Sequence, residues 1–255
     1  MFIGLGFLCY NRRVEQHADQ LKQQAAAVAV GYVTAGMAIG LGTGSTADFF
    51  LRALAARVQA GLHILGVPTS ARSEARAREL GIPLTTLDAQ PRLALTVDGA
   101  DEVDLATFHL VKGRGGALLR EKLVATASDL EVIIVDDSKV VPPLGRGQVP
   151  VEVIPFGWQH TAARLAALGA SLQLRTLDPA ATSPAAAAEH AYLTDSGNFI
   201  LDCHWPAIAD PAILAAQIKA LTGVVEHGLF IGLAGRVIVA GAGGVTIYER
   251  PTAGG

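Results

Sequence analysis

"GLGTGST", residues 40–46, lies between the apolar run MAIGLG (37–42) and the segment STADFFLRALAARV. In that downstream segment Phe50, Leu54 and Val58 recur every four residues, the spacing of one buried helix face. Strand, glycine turn and helix in that order make half of a parallel β/α unit. The glycines at 40, 42 and 44 let the backbone turn tightly and come close to a ligand, and the helix start offers unpaired N–H groups and partial positive charge. Ser45 or Thr46 is expected at the helix N-cap. The stretch reads as an oxyanion or phosphate cradle with three hydroxyls, Thr43, Ser45 and Thr46; the alternative is an ordinary glycine-rich β/α turn. The dinucleotide fingerprint does not fit, because Ser45 stands where its last glycine belongs and no acid follows about 20 residues on. The P-loop does not fit either, because no Gly-Lys-Ser/Thr closes the segment.

HILGV (63–67), LALTVD (93–98) and EVIIVD (131–136) are further short apolar runs without clean alternation, as expected of strands covered on both faces. Helical patterns separate them, beginning with Glu15 to Val33. The expected fold is α/β, a layered domain. The segments after the four runs are GTGST, PTS, GADEVD and DSK, and a parallel sheet brings all of them to one carboxyl edge, where ligands bind.

Around Val149 the pattern changes, and a domain boundary is expected near Gly145. VPVEVIPF reads as an extended segment, GWQHTAARLAALGA as a short helix closed by glycine, and DPAILAAQIKALTGV as a helix from Asp210 or Pro211 to near Gly223. YLTDSGNFILDCHW reads as two strand pieces about a tight turn, and LDPAATSPAAAAEHA (177–191) as a surface loop or frayed insertion. Residues 146–225 thus form a small α+β lobe, and the strands of GLFIGLAGRVIVAGAGGVTIYER return, within 226–255, to the domain of residues 1–145.

The chain has 255 residues, 51 % of them hydrophobic, and a formal net charge of −3 with scattered Lys and Arg, so no nucleic-acid footprint is expected. Cys9 and Cys203 have none of the spacings of zinc sites or disulfide frameworks, and a reducing cytoplasm fits best. The opening MFIGLGFLCYNRR has the reverse of a signal peptide's charge order and is too short to span a bilayer; no membrane association is expected, and it reads as a dispensable extension.

Two further constellations carry chemistry. TVDGADEVD (96–104) crowds Asp98, Asp101, Glu102 and Asp104 at a strand end, either as a solvated acidic turn or as carboxylates in use. LVKGRGGALLREKLVATA (110–127) joins Lys112 to a glycine turn and a helix. There Leu118, Leu119, Leu123 and Val124 are expected to face the core and Glu121 to point away from that stripe. A lysine and free turn amides can neutralise developing negative charge. No metal-ligand motif or serine-histidine signature accompanies them, and the combination suits proton abstraction beside a carbonyl in a small phosphorylated molecule. The seven histidines are isolated in sequence and read as structural or exposed.

The motifs GLGTGST, GVPTS, VDGADEVD, KGRGGALLREK, VDDSK, VPVEVIPFGW, LTDSGNFILD and GVVEHGLF, in this order, resemble the ribose-5-phosphate isomerase A family from about Gln20 to Tyr248. The resemblance implies interconversion of ribose 5-phosphate and ribulose 5-phosphate, a pentose phosphate pathway step, without metal or organic cofactor. It also implies a Rossmann-like domain with a ferredoxin-like small lobe and assembly as homodimers or homotetramers. It gives Glu121 the role of base and makes Asp98, Asp101 and Lys112 its partners at the sugar. Phosphate contacts fall on Thr43, Gly44, Ser45 and Thr46 with Lys139 and Lys22, and the remaining substrate contacts on Gly99, Ala100, Gly113, Arg114 and Gly115.

Arg114 stands where the family often has glycine, Asp195-Ser196-Gly197-Asn198 replaces Asp-Asn-Gly-Asn, and neither residues 177–191 nor the first dozen have a matching family motif. A non-catalytic sugar-phosphate sensor on the same fold is the alternative, but the chain keeps Glu121 and shows no helix-turn-helix or basic arm. An amino-sugar phosphate deaminase or coenzyme A transferase is a second rival, opposed by the DGADE and REK motifs.

Overall fold

The computed structural model describes residues 3–180 and 183–251, with side chains from residue 16 onward apart from that of Pro184. Residues 1 and 2 of the expected extension lie outside the described residues. The backbone from residue 3 belongs to helix α1 (Ile3–Ala29), which therefore begins well before the predicted Glu15. A 3₁₀ turn (Val30–Tyr32) follows.

Then come β1 (Ala38–Leu41), α2 (Ser45–Gln59), β2 (Leu65–Pro68), α3 (Ala71–Glu79) and β3 (Leu95–Asp98). The short strands β4 (Glu102–Asp104) and β5 (His109–Val111) precede α4 (Leu118–Thr126) and β6 (Glu131–Asp136). The second half holds β7 (Val149–Val153), α5 (Trp158–Ala167), β8 (Ser171–Leu174), α6 (Pro184–Glu189), β9 (Phe199–His204) and α7 (Pro211–Lys219). It closes with β10 (Val224–His227), β11 (Leu229–Phe230), β12 (Ala234–Gly241) and β13 (Gly244–Glu249).

All four apolar runs become neighbours in one six-stranded sheet, ordered β13-β12-β6-β3-β1-β2. Its strands are parallel except for the antiparallel edge strand β13. The covered-strand pattern is explained by what packs on each face. Leu21, Ala25 and Ala29 of α1 and Phe50 and Leu54 of α2 bury one face over Ile39, Val97 and Ile134. On the other, Leu110, Phe230 and Val103 cover Ile133 and Val135. The core of this layer is fully desolvated, with Ile39, Phe50, Ile133 and Ile134 at 0 % exposure.

A four-stranded antiparallel sheet, β10-β7-β9-β8, carries α5 and α7 in the chain order β-α-β-β-α-β, which is the ferredoxin-like arrangement. It has its own core around Val151, Leu165, Leu201 and Ile218. Asp210 caps α7 by accepting from the N–H groups of Ala212 and Ile213. The three-stranded sheet β11-β5-β4 joins the lobe to the larger layer.

Two local expectations need correction. The stretch 177–191 is not all loop: Ser183 accepts from Ala186 N, Pro184 supplies a preset φ at the first helical position, and alanines carry the short helix α6. In YLTDSGNFILDCHW only the second piece is a strand, because Thr194 turns back onto Asn198 instead of pairing with a neighbour. Among the described residues no helix is long and apolar enough to cross a membrane.

Close approach of β1 to β3 depends on Gly40. A Cβ there would lie 1.9 Å from Thr96 Oγ1 and 2.5 Å from a Val124 methyl, both buried. Gly40→Ala should therefore strain the sheet by overpacking and lower stability by about 1–3 kcal/mol or more. A thermal melt checks this, and an unchanged Tm would contradict the packing described.

Candidate active site

The carboxyl edge of the parallel sheet opens into a cavity of about 330 Å³, lined from α1 by Ala18 and Lys22 and from the first glycine turn by Thr43, Gly44, Ser45 and Thr46. Gly99, Ala100 and Asp101 enter after β3, Lys112, Gly113 and Gly115 after β5, Glu121 from α4, and Asp136, Ser138 and Lys139 after β6. Chain segments far apart in sequence meet here because parallel strands all end on one edge.

At one end stands the N-terminus of α2. Its N-cap is Gly44, with φ 111° and no side-chain cap, and not Ser45 or Thr46 as expected. Those two hydroxyls occupy the first helical turn and stay free of capping, and the first-turn N–H groups lack intrahelical acceptors. Thr43 departs from the expected hydroxyl trio. Its Oγ1 lies 2.8 Å from each of Thr69 Oγ1, Ser70 Oγ and Ser73 Oγ, and Ser73 Oγ donates to Gly42 O at 2.8 Å. This hydroxyl cluster binds the turn to the N-terminus of α3, so Thr43 serves the cavity through atoms other than its hydroxyl. The PTS segment supplies two of the cluster's members, a use its sequence did not reveal.

At the other end is a buried charge cluster. Lys112 Nζ lies 2.9 Å from Asp98 Oδ2 and 3.6 Å from Glu121 Oε2, and it donates to Gly99 O at 2.5 Å. Asp98 lies beneath the cavity wall, its Oδ1 accepting from Thr43 N at 3.0 Å and Gly99 N at 2.7 Å. A Cβ on Gly42 would come within 2.3 Å of that oxygen, so glycine is required at this contact. Asp101 faces the cavity, and its Oδ2 accepts from Arg114 N at 2.9 Å.

Glu121 is 4 % exposed, and its Oε2 has no hydrogen-bond partner among the described residues. Burial, reinforced by the negative charges of Asp98 and Asp101, pushes its carboxyl up to about 8 against the opposing Lys112 ammonium. For Lys112, burial disfavours the charge, but Asp98, Glu121 and Glu131 outweigh it and hold the ammonium above the ordinary lysine value. Glu131 is a member the sequence did not single out, being hidden in a run that reads as a plain strand. Both its oxygens are buried without partners among the described residues, and burial pushes its carboxyl well above the usual range.

The expectation for α4 is reversed at two positions. Leu123 is 51 % exposed, whereas Glu121 shares the buried face with Leu118, Val124 and Ala125. The three residues of the REK motif go three ways. Arg120 donates to Asp195 O, Glu121 enters the cavity, and Lys122 donates to Glu226 Oε1, His227 O and Leu229 O. Arg114 does not line the cavity: its guanidinium pairs with buried Glu102, which also accepts from the N–H groups of Gly145, Arg146 and Gly147. Glu102 therefore organises the crossing into β7 and stands apart from the cavity.

Residues 65–244 match the family model described as ribose 5-phosphate isomerase A (phosphoriboisomerase A). The ribose-5-phosphate isomerase A of Synechococcus sp. (strain JA-3-3Ab) is 53 % identical over 238 residues, covering 91 % of this chain and 98 % of that protein. That of Bradyrhizobium diazoefficiens is 50 % identical over 235 residues, covering 91 % and 96 %. Among solved structures, ribose 5-phosphate isomerase from Plasmodium falciparum superposes with a TM-score of 0.84 at 37 % identity, covering 92 % of this chain and 100 % of that one. A D-ribose-5-phosphate isomerase in complex with phospho-erythronic acid gives 0.85 at 36 % identity, covering 91 % and 99 %. With its parallel sheet, its ferredoxin-like lobe and these matches along nearly its whole length, the chain belongs to the ribose 5-phosphate isomerase A family.

Proposed function

We propose that this protein interconverts D-ribose 5-phosphate and D-ribulose 5-phosphate by proton transfer through an enediolate, with Glu121 as the base. The observation that carries the reading is the pairing, in one cavity, of an uncapped helix N-terminus with a buried carboxylate whose Oε2 has no hydrogen-bond partner among the described residues. The first end suits a terminal phosphate. The second suits a proton on carbon, because desolvation raises the basicity of Glu121.

In this mechanism the phosphate takes the first-turn N–H groups of α2, the Ser45 and Thr46 hydroxyls, and the charges of Lys139 and Lys22. Asp101, facing the cavity, takes the C1 hydroxyl proton and returns it to the ring oxygen as the bond from C1 to that oxygen breaks and the sugar opens. Asp98 pairs with Lys112 through Oδ2 and accepts from Thr43 N and Gly99 N through Oδ1, so it holds Lys112 and the first glycine turn in place. Glu121 then removes the C2 proton. The electron pair of that C–H bond forms the C1–C2 double bond, and the negative charge goes to oxygen. Lys112 and the N–H groups of Gly113 and Gly115 stabilise it. Glu121 returns its proton to C1 as the C1–C2 double bond breaks, the O2 hydroxyl proton passes to O1 directly or with solvent as relay, and the ketose results.

Residues 1–145 with 226–255 act here as the catalytic domain, whose residues line the cavity, and 146–225 as the lobe that reaches the lysine turn from behind. The protein works in the cytoplasm as a homodimer or homotetramer, in keeping with the family resemblance.

Glu121→Gln should lower kcat by roughly 10²–10⁴-fold with little change in KM, as loss of a general base does. Near wild-type kcat in a folded variant would remove Glu121 from the role. Because the base acts ionised, kcat/KM should fall as pH drops, with its acidic limb displaced from the ordinary carboxylate value of 4.5 toward about 8. A limb at the ordinary value would contradict the desolvated base. Ser45→Ala and Lys139→Ala should instead raise KM, by roughly 10- to 100-fold for loss of a charged hydrogen bond, and leave kcat nearly unchanged.

A further inference from the structure

Arg175 follows β8 in the small lobe, far from the motifs that form the cavity, yet it reaches the lysine turn. Its Nη1 donates to Arg114 O at 3.0 Å and to Gly113 O at 3.3 Å. The other side of the guanidinium is held by Asp202 of β9, with Nε to Oδ2 at 2.8 Å and Nη2 paired to Oδ1. The guanidinium carbon lies 5.8 Å from the centre of the Tyr192 ring. Tyr192 in turn packs so closely beneath Gly116 that a Cβ there would fall 2.2 Å from the phenol oxygen. Only 16 % of the Arg175 side chain and 9 % of that of Asp202 is exposed.

The turn that this arrangement grips has little stiffness of its own, since Gly113 and Gly116 both adopt positive φ. The Gly113–Arg114 peptide is held at both ends, its C=O by Arg175 and Gly116 N and its N–H by Asp101 Oδ2. The next peptide is held at one end only. Arg175 takes Arg114 O, and no hydrogen bond from Gly115 N is present among the described residues. In a trans peptide the C=O and N–H point in opposite directions. Anchoring Arg114 O toward the lobe therefore directs the Gly115 N–H away from it, and Gly115 lines the cavity.

We propose that Arg175, seated by Asp202 and Tyr192, is a positioning residue that orients the Gly115 N–H as a donor to the enediolate oxygen. This rests on the isomerase reading above. The small lobe thereby takes part in the chemistry through the turn, without touching the substrate.

The test compares wild type with Arg175→Lys, which keeps a charge for Asp202 but loses the planar fork, and with the double variant Arg175→Met/Asp202→Asn, which leaves no unpaired buried charge. Ribose 5-phosphate turnover, inhibition by inorganic phosphate, inhibition by phospho-erythronic acid and thermal melts are measured on each. The expected result is a kcat lowered roughly 10- to 100-fold in the double variant and less in Arg175→Lys. Inorganic phosphate should inhibit all three alike, whereas phospho-erythronic acid, whose carboxylate occupies the reacting end, should bind the variants more weakly. Folded variants with kcat within about twofold of wild type, or an equal loss of phosphate binding, would overturn the proposal. If the double variant does not fold, the same readouts on Arg175→Lys decide. Failure of the wild type itself to isomerise ribose 5-phosphate would instead count against the isomerase reading.

Discussion

Lys112 is buried at 3 % exposure among carboxylates, and the site depends on how that charge is balanced. An isolated ammonium in this position would be strongly disfavoured, and so would an isolated Asp98 or Glu121. Together they tolerate burial, but unequally. Asp98 receives the shorter contact and two N–H donors, whereas Glu121 lies at 3.6 Å and its carboxylate receives no N–H donor among the described backbone groups. One carboxylate is thereby committed to structure and the other left basic. In the proposed mechanism the same lysine serves as counter-ion to the resting cluster and as the charge that meets the enediolate.

The fold serves this asymmetry. Parallel strands bring the Asp98 loop and the first glycine turn to one edge, and Gly42 lets them touch without a side chain between them. Lys112 Nζ lies 5.5 Å and Lys122 Nζ 4.7 Å from the centre of the Phe230 ring, so the return of the chain through β11 closes the floor beneath both lysines. The ferredoxin-like lobe adds Arg175 and Asp202 from behind the lysine turn. The base is thus held by the larger domain, and the turn opposite it is steadied from the lobe.

Much of this was legible in the sequence because it is local. Four apolar runs without alternation became four adjacent strands, the glycine cradle sat at a helix start, and Asp210 capped its helix as its type predicts. What was not legible came from competition between local rules and distant contacts. Helical periodicity assigned Leu123 to the core and turned Glu121 outward; the structure exposes the leucine and buries the glutamate, the mark of a position where burial serves chemistry. Ser45 is a good capping residue by type, yet glycine at positive φ takes that position and leaves the hydroxyl free. Arg114 stood among the expected substrate contacts, but buried Glu102 claims its guanidinium. Arg175, more than sixty residues beyond the turn it holds, has no local signature at all.

The most direct test of the account is isomerisation of D-ribose 5-phosphate in D₂O with EDTA present, following deuterium at C1 of the ketose for wild type and Glu121→Gln. A base that exchanges its proton with solvent predicts turnover by wild type with deuterium incorporated at C1, and the loss of both in the variant. Turnover without incorporation, as a hydride shift would give, or undiminished turnover by Glu121→Gln, would contradict it.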